Sequence, residues 1–206
     1  MNGFLLLIPF LLIRFGVLSH LDRAAVKRAA FFAPMAGKEI AAYWIYQLSN
    51  AAIFIVLFFL KVPIDFSWQF WSGTLFYLLG LVLCTASVID FAAPSGEGLN
   101  QNGLYRFSRN PMYLSYFILF MGCALLTHSV LLGGIDIIFQ LSSHWIILSE
   151  ERWCIGRFGD AYRQYMKRRE IMAINQQLLI LSVIAAIVII IDCGRTSLKI
   201  VTSSAL

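Results

Sequence analysis

Six long, continuously apolar runs dominate this sequence. A helix needs about 20 residues to cross the hydrocarbon core of a bilayer, and each run has that length or comes close to it. A membrane β-barrel would instead show short segments in which polar and apolar residues alternate. The sequence therefore predicts an all-α, polytopic transmembrane helix bundle of about five to six spans. The runs lie near Gly3–Leu18, Ile40–Leu60, Phe70–Phe91, Pro111–Thr127, Val130–Ser149 and Ile171–Ile191.

The composition excludes two other classes of protein. Hydrophobic residues make up 60% of the 206 residues and charged residues only 13%, about half of the roughly 25% found in soluble domains. A disordered chain needs low hydrophobicity and high net charge. A soluble globule of this size could not bury so much apolar surface in one core. The first run lacks a typical small-residue cleavage site, so we expect a retained helix and not a signal peptide.

The distribution of basic residues predicts the orientation. With six spans, three polar connections fall on one side of the membrane and carry 12 of the 16 basic residues. The positive-inside rule places this side in the cytoplasm. Because the two ends of the 111–149 hairpin lie on the same side whether or not it crosses, charge does not decide if it spans. The 12 residues are Arg23, Lys27, Arg28, Lys38, Arg106, Arg109, Arg152, Arg157, Arg163, Lys167, Arg168 and Arg169.

A glycine-rich segment between the third and fourth runs is the least membrane-like part of the chain. It spans residues 94–113 and ends in Arg109-Asn110-Pro111. Glycine permits close backbone approach to a ligand. Proline suits the first turn of a helix, which makes Asn110 the expected N-cap. The alternative is a capped connection in which Arg109 faces lipid phosphates.

The fifth run carries a polar stripe. Helical periodicity puts six polar groups within an arc of about 120°. Ionisable residues inside a membrane usually face a cavity or another helix, so the stripe favours a polar cavity. For the histidine alone, a hydrogen-bonded packing role is the alternative. The six residues are Asp136, Gln140, Ser143, His144, Glu150 and Glu151.

An amphipathic segment follows the paired carboxylates of Glu150 and Glu151. Its apolar residues recur at helical spacing among basic residues, which is typical of a helix on the membrane surface. The alternative is an anchor without a chemical role. Paired carboxylates at a membrane boundary nevertheless favour a cation-binding site. The apolar residues are Phe158, Tyr162, Tyr165 and Met166.

Together these motifs resemble a known family. The order Gly103-Leu-Tyr105, Arg109-Asn110-Pro111-Met112-Tyr113, a hydrophobic hairpin, Glu150-Glu151 and then Phe158-Gly159-x-x-Tyr162-x-x-Tyr165 is similar to the integral-membrane S-adenosylmethionine-dependent methyltransferases. That group includes isoprenylcysteine carboxyl methyltransferases and phospholipid N-methyltransferases. Asn110 stands where the family pattern often has histidine, and this departure leans towards the phospholipid enzymes.

The resemblance implies a division of the chain and a set of roles. Residues 1–92 would form N-terminal transmembrane helices, 93–170 the catalytic region on the cytoplasmic side, and 171–206 a C-terminal helix and tail. S-adenosylmethionine would be the cofactor, with S-adenosylhomocysteine as product and no metal. The implied catalytic residues are Arg109, Asn110, Tyr113, His144 and Glu151. The implied cofactor-binding residues are Gly103, Tyr105, Arg109, Pro111, Met112, Tyr113, Glu150 and Glu151.

Within these roles, a carboxylate pair suits the cofactor's amino group or ribose, and an arginine suits its carboxylate as a bidentate partner. His144 is the candidate proton acceptor for an amine substrate. The lipophilic acceptor would enter from the bilayer among membrane lipids, and no nucleic acid is expected, because topology accounts for the basic residues. The preferred acceptor is a phospholipid amine headgroup.

Three alternatives stay open at this point. The acceptor could be the carboxylate of a prenylated cysteine. A reductase acting on sterols has a similar carboxy-terminal arrangement. A transporter subunit or lipid-binding scaffold would use the polar stripe without catalysis. The oligomeric state is open as well.

Overall fold

The computed structural model describes residues 1–93 and 98–168. The expected last span and tail, 171–206, lie outside the described residues. Four long apolar helices and a shorter one form an all-α bundle, which confirms the predicted fold class. We number the helices α1 (Gly3–Leu21), α2 (Arg23–Ala29), α3 (Lys38–Phe59), α4 (Trp68–Ala92), α5 (Pro111–Leu126) and α6 (Val130–Phe158).

The four long helices α1, α3, α4 and α6 are each long and apolar enough to cross a membrane. Most of their residues are not buried by the protein. Large apolar side chains such as Leu48 and Val82 point outward. Exposure of such a surface to water is unfavourable, whereas exposure to lipid is not. The exposed apolar surface therefore indicates an integral membrane protein.

Helix α5 is the inner helix of the bundle. It has 16 residues, and 13 of them are buried. At 1.5 Å per residue it is about 24 Å long, shorter than a hydrocarbon core of about 30 Å. Its short length is tolerable because the neighbouring helices, and not lipid, surround it. Helix α5 therefore forms the wall against which the functional residues of α3 and α6 pack.

Helices α4 and α5 touch at glycines. A Cβ at Gly80 would overlap Leu119, and one at Gly122 would overlap the backbone of Tyr77. Small residues let two transmembrane helices approach closely and gain dispersion contacts. This contact holds the glycine-rich connection after α4 beside the start of α5.

The helices run antiparallel, so that the basic residues gather at one end, which we call the basic end. The N-terminus lies at the other end, where the Gly3 amide donates to the Leu60 carbonyl at 2.8 Å. Asp65 and His128 also meet there, with 3.8 Å between Oδ2 and Nε2. The described connections that carry Arg23, Lys38 and Arg109 all lie at the basic end.

Helix α6 continues beyond the predicted end of its apolar run. It extends through Phe158, so Glu150 and Glu151 lie inside one continuous helix. Gly159, with a φ of 55°, ends it, and 160–168 are helical again. The predicted apolar face of this last segment is buried against Leu99 and α6, with Tyr162 and Tyr165 at its centre.

Candidate active site

An ion pair joins the two halves of the sequence motif at the basic end. Arg109 precedes α5, and Glu151 lies in the last third of α6. Arg109 Nη1 is 2.8 Å from Glu151 Oε1, and the side chains are only 16% and 10% exposed. Because α5 starts and α6 finishes at the same end of the bundle, the antiparallel hairpin brings these two residues together.

A second contact lies beside it. The Tyr113 hydroxyl donates to Glu150 Oε1 at 2.9 Å. Tyr113 is one turn inside α5, and its ring meets the ring of Tyr46 from α3 edge to face, with 6.1 Å between centroids. Tyr46 in turn stacks on Phe139 at 4.5 Å. Glu150 therefore lies next to a group of aromatic rings from three helices, Tyr113, Tyr46 and Phe139, which we call the aromatic floor.

One of the two carboxylates, Glu151, is not fully satisfied by the described residues. Glu151 Oε1 is buried and has no hydrogen-bond partner among the described residues. Its contact with Arg109 is thus a close ion pair without hydrogen-bond geometry. Two carboxylates and one guanidinium leave this cluster with an excess of negative charge when all are ionised. Such a site can accept hydrogen bonds from a cationic or hydroxyl-rich ligand.

The glycine-rich connection is fastened to the end of α4. The Leu104 amide donates to Asp90 Oδ2 at 2.7 Å. Gly103 has a φ of 54°, and a Cβ there would collide with the Asp90 carboxylate. Gly103, predicted to bind cofactor, is therefore required first by the turn and by the close approach to Asp90.

Tyr105 is a buried residue of the same connection, in the short 3₁₀ helix Gly103–Arg106. Its carbonyl accepts a hydrogen bond from the Tyr165 hydroxyl at 2.8 Å. Burial raises the pKa of Tyr105 well above its usual value, so its hydroxyl stays protonated at neutral pH. The 3₁₀ helix is thereby attached to the helical segment that follows α6.

The residues between Arg109 and Tyr113 form the start of α5. Asn110 occupies the predicted N-cap position, but its side chain makes no capping hydrogen bond. Pro111 is buried in the first turn, as predicted. Met112 is half-buried, and its sulfur accepts from the Tyr116 hydroxyl at 3.8 Å. The Asn110 side chain is thus not used by the helix it begins.

The polar stripe of α6 does not act as one unit. His144 is exposed and contacts the Trp145 ring at 5.6 Å between centroids. It forms no ion pair or hydrogen bond with Arg109, Glu150 or Glu151 in the described part of the chain, and its role as proton acceptor stays a prediction. Its place at the edge of the predicted arc, 80° from Asp136, explains this outcome, because the buried face ends before it.

The other end of the stripe is buried in protein. Asp136 and Gln140 are 0% and 7% exposed, and the carboxylate and amide oxygens of their side chains lack hydrogen-bond partners among the described residues. Asp136 is fourteen residues before Glu150, which is about 21 Å along the helix. The carboxylate cluster and Asp136 are therefore separate features.

Sequence reasoning missed three residues that shape this region. Asp90 accepts a hydrogen bond from the glycine-rich connection. Tyr46 is part of the aromatic floor next to Glu150. Arg14 lies in the first span without a carboxylate partner among the described residues. Asp90 and Arg14 had a signal, since each is a lone ionisable residue in an apolar run. Tyr46 had none, because an aromatic residue is ordinary in a membrane helix.

The comparison with known families addresses the same region. Residues 68–161 match the phospholipid methyltransferase family. This part of the chain is therefore similar to that family, and the resemblance found in the sequence is confirmed. No curated protein and no solved structure matches the chain.

The phospholipid methyltransferase match begins at α4 and ends just after α6. It thus contains Asp90, Arg109, Tyr113, Glu150 and Glu151. The family implies methyltransferase activity in general, and it suggests S-adenosylmethionine as the methyl donor. Helices α1, α2 and α3 lie outside the match, although Tyr46 of α3 packs against the matched residues.

The residues of the cluster fit that donor. Glu151 Oε1, which pairs with Arg109 but accepts no hydrogen bond from the described residues, can accept one from an amino group or a ribose hydroxyl. Arg109 meets Glu151 through Nη1, and a guanidinium has five N–H groups, so it can bind a carboxylate as well. The cluster offers both signs of charge that an amino acid moiety requires.

Proposed function

We propose that this chain is an integral-membrane methyltransferase that transfers a methyl group from S-adenosylmethionine to the amine headgroup of a phospholipid. The observation that carries the proposal is the cluster in which Arg109 pairs with Glu151 and Tyr113 binds Glu150. The family match supports the reaction class and favours the phospholipid as acceptor.

The proposed cofactor site uses residues at the basic end. Arg109 would bind the carboxylate of the donor, and Glu150 and Glu151 its amino group or ribose. Asn110, which follows Arg109 and makes no capping hydrogen bond, would add a neutral hydrogen bond. When bound, S-adenosylmethionine supplies a methyl group that is already activated by its positive sulfur. The protein then contributes mainly position and exclusion of water.

The acceptor places one further demand on the site. A phospholipid amine arrives as an ammonium ion and must lose a proton before its nitrogen can attack. Glu150 would receive this proton, because it is the carboxylate that Tyr113 holds at the aromatic floor. A prenylcysteine carboxylate, which is already ionised, would need no such step. The acceptors therefore differ in their expected dependence on Glu150.

The positive-inside rule adds an orientation to the proposal. The basic end would face the cytoplasm, where the polar cofactor is available. The lipid would enter from the bilayer between helices and present only its headgroup to the cluster. This division accounts for a site at the membrane boundary and not at its centre.

The test is a methyl-transfer assay with purified protein in vesicles. Vesicles containing phosphatidylethanolamine and radiolabelled S-adenosylmethionine should yield a labelled methylated lipid, identified by mass spectrometry. The Glu151→Gln variant should lose the product, whereas Asp160→Asn, which removes an exposed carboxylate at the same end, should retain it. Methylation of a prenylcysteine analogue alone would establish the other acceptor. No product from either acceptor, with no cofactor binding, would support a non-catalytic scaffold.

A further inference from the structure

Arg14 is an unusual residue in the first membrane helix. It lies in a π-helical turn of α1, Leu12–Val17, between apolar residues. Such turns are rare and occur often at functional sites. The guanidinium keeps its charge at any accessible pH, and a charge inside a membrane helix requires compensation.

The described part of the protein compensates Arg14 only in part. Its Nη2 donates to the Ala29 carbonyl, in the last turn of α2, at 2.8 Å. That bond uses one of five donors. None of the ion pairs formed among the described residues includes Arg14. A neutral carbonyl does not balance the positive charge, so the described residues give Arg14 no counter-ion.

Arg14 faces the interior beside the proposed site. Phe10 and Leu18, one turn to either side of it, are both buried, and the Phe10 ring contacts the Tyr116 ring of α5 at 5.3 Å. The Phe10 ring also contacts the Phe120 ring at 5.4 Å, and Phe120 contacts Phe139, which stacks on Tyr46. Tyr46 contacts Tyr113, whose hydroxyl binds Glu150. Arg14 and the carboxylate cluster thus lie on two sides of the same aromatic floor.

The position of Arg14 suits a ligand that comes from the bilayer. Its neighbours Leu12 and Phe15 are 62% and 57% exposed, so this stretch of α1 borders lipid. The Ala29 carbonyl that holds the guanidinium belongs to α2, the short helix at the basic end. An arginine side chain that extends in this way towards the boundary has its charged head near the depth of lipid phosphates.

We propose that Arg14 binds the phosphate of the acceptor phospholipid and so positions its amine towards Glu150. The inference rests on the proposed function. An oxyanion is the chemistry that Arg14 requires, and the donor's carboxylate is the other possible source. We assign the lipid phosphate because the stretch of α1 around Arg14 borders lipid, whereas Arg109 already lies next to the carboxylates that would hold the donor's amino group. Arg14 is outside the segment that matches the family.

The first experiment compares Arg14→Gln with Arg23→Gln, which removes an exposed charge at the same end. Arg14→Gln should raise the KM for phosphatidylethanolamine by roughly tenfold to a hundredfold, the usual effect of losing hydrogen bonds to a charged group. Its dissociation constant for S-adenosylhomocysteine should not change. Arg23→Gln should leave both values unchanged. An unchanged lipid KM in folded Arg14→Gln would overturn the proposal, as would weakened cofactor binding with a normal lipid KM.

A second acceptor separates phosphate binding from a merely structural role. A long-chain alkylamine has the reacting nitrogen but no phosphate, so its KM should be insensitive to Arg14→Gln. Equal losses for both acceptors would mean that Arg14 only supports the fold.

Arg14→Lys is the variant to measure if Arg14→Gln does not fold, because lysine keeps the charge and can still reach a carbonyl. It should bind phosphate less well, because lysine lacks the bidentate geometry. An unaltered lipid KM in Arg14→Lys together with an altered one for alkylamine would also overturn the proposal.

Binding measurements keep the inference distinct from the proposed function. If the wild-type protein transfers no methyl group, native mass spectrometry can still compare retention of phosphatidylethanolamine by the wild type, Arg14→Gln and Arg23→Gln. Weaker retention by Arg14→Gln alone would support the phosphate site although the activity had failed. Equal retention by all three would refute the phosphate site.

Discussion

Arg109 and Glu151 form a partly buried ion pair, 2.8 Å between Nη1 and Oε1, that closes the base of the hairpin of α5 and α6. One residue precedes the first helix of the hairpin, and the other lies near the end of the second. The pair therefore fixes the register of the two helices as well as the charge of the proposed site. Its two roles can be separated by measuring stability and binding in the same variants.

The losses of stability caused by substituting Arg109 and Glu151 should not be additive. Arg109→Gln or Glu151→Gln leaves one partly buried charge unpaired, which costs about 1–3 kcal/mol. The double substitution leaves no unpaired charge, so its loss of unfolding free energy should be smaller than the sum of the two single losses. Thermal unfolding in detergent gives these values. Strictly additive losses would show that the two side chains do not interact.

Gly103→Ala should lower both stability and methyl transfer. The added Cβ would collide with Asp90 and would also have to adopt a φ of 54°, a conformation that costs an L-residue about 1–2 kcal/mol. The connection should then detach from α4 and shift Arg109. Gly156→Ala, where a Cβ meets open space, is the matched control and should be neutral. Wild-type activity in Gly103→Ala would show that the glycine-rich connection does not position Arg109.

Gly122→Ala should separate α4 from α5. Its Cβ would overlap the backbone of Tyr77, which cannot move aside as a flexible side chain could. Overpacking of this kind typically costs about 1–3 kcal/mol. Gly134→Ala in α6 has space for the methyl group and should be neutral or stabilising. The comparison of apparent melting temperatures in detergent checks this, and equal values would contradict the close helix contact.

Asp136→Asn and His144→Ala should both retain methyl transfer to within about a factor of two. Asp136 is about 21 Å from Glu150 along the helix, and His144 is exposed. Asp136→Asn should also preserve or increase the melting temperature, because it removes an unpaired buried carboxyl group. Assays of both variants over a range of pH provide the check. A changed pH profile in His144→Ala would restore His144 as the proton acceptor.

Hydrophobic runs predicted most of the fold within the described residues. The runs at 40–60, 70–91 and 111–127 agree closely with α3, α4 and α5, because a continuous apolar run has few alternatives inside a membrane. The extension of α6 to Phe158 was not predictable in this way. Glu150 and Glu151 resemble the end of a span by hydropathy, whereas in the structure they lie inside the helix and contact Tyr113 and Arg109.

The site was predictable where sequence order encodes it. Arg109, Tyr113, Glu150 and Glu151 come together because the motif brackets one hairpin. Asp90 and Arg14 belong to other helices, and their distance from the motif depends on packing angles that no periodicity reveals. His144 shows the opposite limit, since a residue at the edge of a helical stripe can fall on either side of the buried boundary.

Titration of purified protein with S-adenosylhomocysteine by calorimetry tests the central claim most directly. The account predicts binding to the wild type and to Asp160→Asn, and loss of at least tenfold in affinity for Glu151→Gln and Arg109→Gln while both remain folded. Absence of binding to folded wild-type protein, with phosphatidylethanolamine present, would contradict the account. Equal affinity in all four proteins would place the cofactor elsewhere and contradict the assigned site.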